Sequence, residues 1–423
     1  MIQKNKWAWA WVPTLYFAQG LPYALVVTVS VIMYKRLGFS NSDLGLYTSL
    51  LYLPWVIKPL WSPFVDLKST KRNWFLGMQL LASVALFAIG LTLPTNIFFV
   101  TSLACFWMVA FASATNDIAT DGYYMIGLTE DKQSFFVGMR SVFYKLANVT
   151  GQGLLVVLAG FLENKYGDNT KAWSYTMLCA GSIMLLMTLS NFIVTPKFES
   201  SEAIALEKPK SFWEVFVSFF KKPGMGMAIA FILFFRLGES QLVKMASPFL
   251  LDPTSVGGLG YSTSEVGTIY GTIGVVFLTV GGILGGILIS RDGLKKWMLP
   301  MLISLNAPNA LYALLALTGS TEAWAVTGTV IVEQFGYGFG IAGFMVYLIY
   351  IAEGNSKTSH YALATGFMAL GMMLPGLISG YMQEWLGYDG FFIWVVLAAL
   401  PAFILLRYIK YPANFGMAKE EDK

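Results

Sequence analysis

Twelve stretches of this chain are apolar for long enough to cross a lipid bilayer, and nothing else in the sequence limits the fold as much. A helix needs about 20 apolar residues to span the hydrocarbon. The segments lie near residues 9–34, 43–61, 74–93, 97–124, 137–160, 173–194, 224–250, 265–289, 298–317, 324–348, 363–382 and 391–409, and are numbered spans 1 to 12 in that order. Charged residues are 12% of the chain, about half the share usual in a soluble domain. The missing charge is missing from the middles of the segments, where lipid tolerates it least. The expected fold class is an all-α membrane protein of twelve transmembrane helices.

The segments repeat. Leu37–Gly45 reads LGFSNSDLG and Leu259–Gly267 reads LGYSTSEVG, 222 residues later, with five of nine positions identical. Each carries Ser-x-x-Asp/Glu, the capping signal of a helix start. Trp74 and Trp297 open spans 3 and 9 at an offset of 223, and AGFLENKYG around Gly160 resembles SGYMQEWLG around Gly380 at an offset of 220. So steady an offset predicts two pseudo-symmetric six-helix bundles, residues 1–194 and 224–423. The linker, 195–223, contains a second capping box at Ser211. Trp213, Phe216, Phe219 and Phe220 follow on one helical face ahead of Lys221 and Lys222, the pattern of a short helix at the membrane surface. A finer period runs through both halves. Spans 3, 6, 9 and 12 hold no charge in their interiors, whereas spans 4, 7 and 10 do and span 1 carries Gln19. Four three-helix units around a wet cavity would produce that pattern. This architecture belongs to transporters.

Lys and Arg set the orientation. With the N-terminus inside, 20 of the 28 fall in cytoplasmic stretches, counting Arg140 and Arg407 at the inner ends of spans 5 and 12, with four in outer loops and the other four within spans. Both termini are therefore expected in the cytoplasm, and the apolar run through Tyr34, too long for a signal peptide, is read as a retained first span. Basic residues scattered over short loops do not form a nucleic-acid stripe. Two cysteines inside apolar segments suggest no disulfide or metal site, and the single histidine, His360, no zinc centre or triad. No Walker-type Gly-Lys-Ser/Thr loop suggests ATP use. No cofactor is expected, the proton gradient is the expected energy source, and the chain is not expected to be an enzyme.

Charges within a bilayer cost about 2.5–3.5 kcal/mol each on insertion scales, so each needs a partner, water or a function. Arg236 and Glu239 share a face of span 7 and can neutralise each other or respond to a substrate, with Lys244 two turns on. Glu333, in span 10, has no opposite charge within a turn, and suits either a proton carrier or an ion pair with Arg236. Asp117 and Asp121 share a face of span 4 nearer the cytoplasm, where pairing with Arg140 or Lys145 would make a latch. Asp66, followed by Lys71 and Arg72, reads as a second latch between the halves. Gln19-Gly20-Leu21-Pro22 interrupts span 1 and predicts a kink. Tyr144 is among the aromatics able to stack on a sugar ring.

These residues resemble the major facilitator superfamily, and more closely its AmpG-type muropeptide permease branch, which also includes acetyl-CoA transporters. The marks are Phe17-Ala-Gln-Gly-Leu-Pro22, Lys58-Pro-Leu-Trp-Ser-Pro63 with Asp66, Ala114-Thr-Asn-Asp-Ile118 with Asp121, Tyr144-Lys-Leu146, Phe235-Arg-Leu-Gly-Glu239, Met245-Ala-Ser-Pro-Phe-Leu250, Glu333 and Ser359-His-Tyr-Ala-Leu363. The resemblance implies proton-driven import of anhydromuropeptides across the bacterial inner membrane. It implies a cavity lined by Asp117, Asp121, Lys145, Arg236, Glu239 and Glu333. Arginine is commoner in the family than Lys145, lysine than Arg236 and aspartate than Glu239, so charge type is kept. The combined expectation is a monomeric proton symporter in the lipid bilayer, taking a small-molecule glycopeptide. Glu333, Glu239, Asp117 and Asp121 would couple protons. Gln19, Lys145, Arg236 and Tyr144 would bind substrate, and Asp66, Lys71, Arg72 and Arg140 would latch. A carrier of another large anion, such as a siderophore or acyl-CoA, is the alternative.

Overall fold

The computed structural model describes residues 8–62, 64–65, 69–128, 130–197, 212–354 and 357–417. Every regular element among them is helical. Ten helices are long and apolar enough to cross a membrane, and two departures from regular spacing account for the other two of the twelve expected spans. Span 2 is broken into Asn41–Leu50, Leu53–Ile57 and a tight turn, Lys58–Leu60. Pro54 and Pro59 explain the break, because proline offers no amide hydrogen and clashes with the preceding turn. Spans 11 and 12 run together over Ser359–Leu406, with the chain turning at Gly387 (φ 69°, ψ 173°).

Other expected features are found, some displaced. Ser40 caps Asn41–Leu50 by accepting from the Asp43 amide at 3.1 Å. The helix of span 1, Ala8–Ala24, continues through Pro22 and widens into a π-helical turn at Leu25–Val29. The distortion thus lies one turn beyond the Gln19–Pro22 signal. Span 7 is two helices, Met225–Phe235 and Leu237–Leu251, meeting at Arg236. In the linker the helix is Phe212–Phe220; its proposed cap, Ser211, lies outside the described residues. Phe219 is buried beside His360 and Phe367, and Ser218 hydrogen-bonds the His360 Nε2 at 2.9 Å, while Trp213 stays exposed.

The helices gather into two compact units. Unit 1 comprises Met1–Leu37, Ile57–Pro209 and Thr263–Gly271, and unit 2 comprises Gly38–Val56, Lys210–Ser262 and Thr272–Lys423. The units follow the sequence halves except for two short exchanged segments, each containing most of a repeat motif. The core of unit 1 forms around Trp11, Tyr16, Phe75 and Tyr123, with the Tyr123 ring edge-on to Trp11 and Phe75 at 5.1 Å. In unit 2, Phe235 stacks on Phe344 at 4.2 Å and Phe231 packs on Tyr347.

Exposure does not follow the expected three-helix period: of the ten spanning helices that of span 8 is the least buried, and span 9 is as buried as spans 7 and 10. Spans 3, 6, 9 and 12 present Leu80 and Leu91, Phe192 and Ile193, Leu314 and Leu317, and Leu397 and Ile404 outward. Large apolar faces left exposed suit lipid tails rather than water. Buried polar groups collect on spans 1, 4, 7 and 10, such as Gln19, Asn116, Glu239 and Glu333. The uncharged spans are not wholly apolar, however. Gln79 of span 3 and Asn191 of span 6 are buried in a chain of amides with Asn116, at 3.0 and 3.1 Å.

Candidate functional site

In unit 1, spans 1, 2, 4 and 5 bring polar side chains together around Asp117 and Asp121. Four residues apart on one helix, the two carboxylates face the same way. Asp117 accepts from the Gln19 amide and pairs with Lys58 Nζ at 2.6 Å. Asp121 accepts from the Tyr16 hydroxyl at 2.9 Å and pairs with Arg140 at 3.2 Å. The Arg140 guanidinium also lies over the Tyr16 and Tyr124 rings, at 4.6 and 5.1 Å. A planar cation held by a carboxylate and two π-faces is confined in more than one direction. Of the cations proposed for these aspartates, Arg140 reaches Asp121, and Lys145 makes no ion pair among the described residues. Lys145 is half-buried, one residue from Tyr144, whose carbonyl backs onto Gly20 and whose ring lies 6.4 Å from Tyr23. Lys58 belongs to the Lys58–Pro63 motif; it follows directly on the helix Leu53–Ile57 and opens the tight turn Lys58–Leu60, which directs it towards span 4.

Of the residues expected to form the second latch, Asp66 lies outside the described residues. Lys71 is buried against Gly122. Arg72 donates to the Thr195 and Phe192 carbonyls at 2.9 and 2.7 Å, capping the end of span 6. A cation is at home where helix carbonyls lack donors. The corresponding loop ahead of Trp297 shows the acid-and-base arrangement directly. Asp292 accepts from Arg291 and the Trp297 indole, each at 2.9 Å, with Lys296 at 3.1 Å. These hydrogen bonds, that of Arg291 foremost, hold the Asp292 carboxyl well below the usual carboxylate range.

In unit 2 the charges lie deeper. Arg236 and Glu239 form a bidentate pair, Nε to Oε2 at 2.7 Å and Nη2 to Oε1 at 3.1 Å, and are 6% and 1% exposed. Arg236 also donates to the Tyr337 hydroxyl at 2.9 Å. The helix break at Arg236 lets its side chain fold back along the same face. Lys244 is fully buried with no carboxylate paired to it among the described residues; its ammonium donates to Thr48 at 3.0 Å and sits 5.0 Å from the Tyr52 ring centroid. Glu333 is not paired to Arg236. Its carboxylate accepts from the adjacent Gln334 amide, at 3.1 and 2.9 Å, and the Tyr312 hydroxyl lies beside it.

The repeat motifs do more than mark the duplication. In unit 2, Asn41 donates to Gln383 at 2.6 Å and Tyr388 at 2.9 Å, and the Ser42 amide donates to Glu384 at 2.8 Å. In unit 1, Thr263, equivalent to Asn41, donates to Glu163, equivalent to Gln383, at 2.6 Å, and Ser264 donates to the Val157 carbonyl. Each first-motif copy therefore docks on the second-motif copy from the other half of the sequence. A Cβ at Gly380 would strike the Asn41 carbonyl, and one at Gly160 the Ser264 backbone, so glycine permits both approaches. The chemistry differs between them. Glu163 also binds Arg36 at 3.1 Å and the Trp173 indole at 2.9 Å, whereas the Asn41 side is joined by Asp252 through Tyr388 at 2.6 Å. Sequence reading found these motifs but not this role; the matched offsets of 222 and 220 were the available signal. Glu163→Ala, which strips three donors of their acceptor, is expected to cost about 2–4 kcal/mol. Gln383→Ala should cost about 1 kcal/mol. Thermal unfolding of the purified proteins measures both, and the reverse order would refute this ranking.

Comparison with known proteins agrees with the architecture. The model of the Major Facilitator Superfamily matches residues 14–352. The anhydromuropeptide permease of Escherichia coli K12 is 28% identical over 411 residues, covering 93% of this chain and 77% of its own. A Rickettsia conorii transporter bearing the AmpG name is 24% identical over 420 residues, covering 95% and 96%. Among solved structures, the nucleoside transporter NupG (a D323A mutant) superposes with a TM-score of 0.73 at 14% identity, covering 94% of this chain and 99% of its own. The helical repeat, the buried charges and the family match agree: the chain is a multi-pass membrane transporter and belongs to the major facilitator superfamily.

Proposed function

We propose that the protein imports anhydromuropeptides, or closely related cell-wall glycopeptides, across the bacterial inner membrane in symport with protons. The observation that carries the coupling is Glu333: a carboxylate 1% exposed, with an amide and a phenol beside it but no cation bonded to it among the described residues. An ionised carboxylate in that position is costly, so it exchanges charge for a proton as its surroundings change. The substrate class is suggested by the E. coli permease and fits the chemistry of unit 1. Glycopeptides carry hydroxyls, amides and carboxylates, for which Gln19, Tyr144 and the unpaired Lys145 are suitable partners. Asp117, Asp121 and Glu239, each held by a cation in this state, would change partners during the cycle. Alternating access then consists of the two motif docking sites parting and re-forming. The proposal includes a monomer with both termini in the cytoplasm.

A large anion such as acyl-CoA or a siderophore is the second reading, favoured by Lys145 and Lys244, neither of which has a carboxylate partner among the described residues. Uptake of labelled anhydromuropeptide into proteoliposomes, driven by an acidic exterior, tests the first reading. Saturable accumulation that an uncoupler abolishes is expected. No saturable uptake of muropeptide, with saturable, uncoupler-sensitive uptake of labelled acyl-CoA or siderophore in the same vesicles, would replace it with the second. Losing one charged hydrogen bond costs about 1.5–3 kcal/mol, so Lys145→Gln should raise the half-saturating concentration roughly tenfold or more. Lys145→Arg should stay near wild type, and equal behaviour of the two variants would remove Lys145 from the binding site.

A further inference from the structure

Span 9 reads as a plain lipid-facing segment, yet its helix is interrupted inside the membrane. Leu294–Asn306 ends and Asn309–Thr318 begins, with Ala307 and Pro308 between them. Pro308 has no amide hydrogen, so the Ser304 carbonyl one turn back loses its usual donor. Two asparagines flank the break, Asn306 3% and Asn309 0% exposed. Asn306 donates its amide to the Leu302 carbonyl at 3.0 Å and leaves Oδ1 without a donor. Asn309 leaves both Nδ2 and Oδ1 without partners among the described residues.

Span 10 approaches closely at this level because residue 336 is glycine. A Cβ there would collide with the Ser304 carbonyl and lie 3.2 Å from the Pro308 ring. Glu333, one turn before Gly336, shares its face. Tyr312, one turn after Asn309, lies near the Glu333 carboxylate, and its buried hydroxyl makes no hydrogen bond among the described residues. The freed backbone, the orphaned amides and the buried acid thus lie within about a helical turn of one another along the packed spans 9 and 10 of unit 2. Buried polar atoms without partners are rare, and a site offering several of them holds internal water.

We propose that this spot is an internal hydration site, a small cluster of waters bound by Asn306, Asn309 and the Ser304 carbonyl, through which Glu333 exchanges its proton. On release, the carboxyl O–H bond breaks as an O–H bond forms on the adjacent water, and an excess proton leaves along the cluster. Reprotonation is the reverse. Asparagine suits this task because its amide orients water without itself taking up or giving up a proton. Asn309 and Asn306 are therefore positioning residues for the water that serves Glu333. The inference rests on Glu333 being the proton carrier.

Infrared difference spectroscopy of the protein in proteoliposomes tests it. The C=O band of protonated Glu333 is the one lost in Glu333→Gln, and its shift after transfer to D₂O reports exchange. In Asn309→Leu the band should remain while its exchange slows roughly tenfold or more, and pH-driven muropeptide uptake should fall with it. Muropeptide counterflow, which needs no net proton movement, should stay within about twofold of wild type. Asn309→Ser, which keeps a small polar group, should recover exchange, and Asn306→Ala should slow it in a second, independent background. Wild-type exchange in both Asn309→Leu and Asn306→Ala would overturn the hydration site while leaving Glu333 as the carrier. Uphill uptake surviving in Glu333→Gln would instead sink the coupling reading, and this inference with it. A rise in melting temperature with sodium chloride over choline chloride that Asn309→Leu removes would assign the pocket to a metal cation and overturn the water.

Discussion

Glutamine in place of Glu333 is expected to abolish accumulation of substrate against a gradient while leaving exchange of substrate across the membrane intact. The two side chains match in size and both are neutral when the acid is protonated, so packing around Gln334 and Tyr312 should persist. What glutamine cannot do is release a proton. If one proton moves with each substrate, a gradient of one pH unit supports about tenfold accumulation in the wild-type protein. In Glu333→Gln the ratio should fall to about one, whatever the pH gradient. Counterflow should continue near the wild-type rate, because a permanently neutral site mimics the protonated carrier. Proteoliposomes with imposed gradients measure both quantities. Loss of counterflow together with accumulation would mean that residue 333 holds substrate or structure rather than the proton.

Replacing Arg236 with methionine should be the most damaging single change to the folded protein. Glu239 is fully buried and takes two hydrogen bonds from Arg236. Removing one partner of such a pair typically costs about 3–5 kcal/mol, since the other charge is left without compensation. A low yield of folded protein and a lower melting temperature are expected. The double variant Arg236→Met, Glu239→Met should regain most of that stability, because no buried charge remains. Transport should not return with it if the pair takes part in the cycle. Transport restored along with stability would reduce the pair to a structural device that only neutralises span 7.

How much of this was legible beforehand varies from residue to residue. Asp121 with Arg140, and Arg236 with Glu239, were expected as pairs and are pairs, because both partners lie on one helix or on consecutive helices. Lys58 with Asp117 was not foreseen. It depends on how two prolines turn the end of span 2, a geometry that helical periodicity does not carry. The Asn306–Asn309 break was overlooked for a related reason. A single Pro308 between neutral amides leaves an apolar segment apolar by any average, and the orphaned atoms appear only once span 10 closes over them.

The number of spans, the duplication and the uncharged interiors of spans 3, 6, 9 and 12 were determined by the sequence alone, because lipid forbids alternatives to helices of that length. Which buried charge meets which partner was decided by the tertiary structure. So was the docking of each repeat motif on its counterpart from the other half. Those contacts join residues up to 347 positions apart, such as Asn41 and Tyr388. They depend on backbone approaches of a few ångströms, set by glycine and proline, that no local pattern encodes.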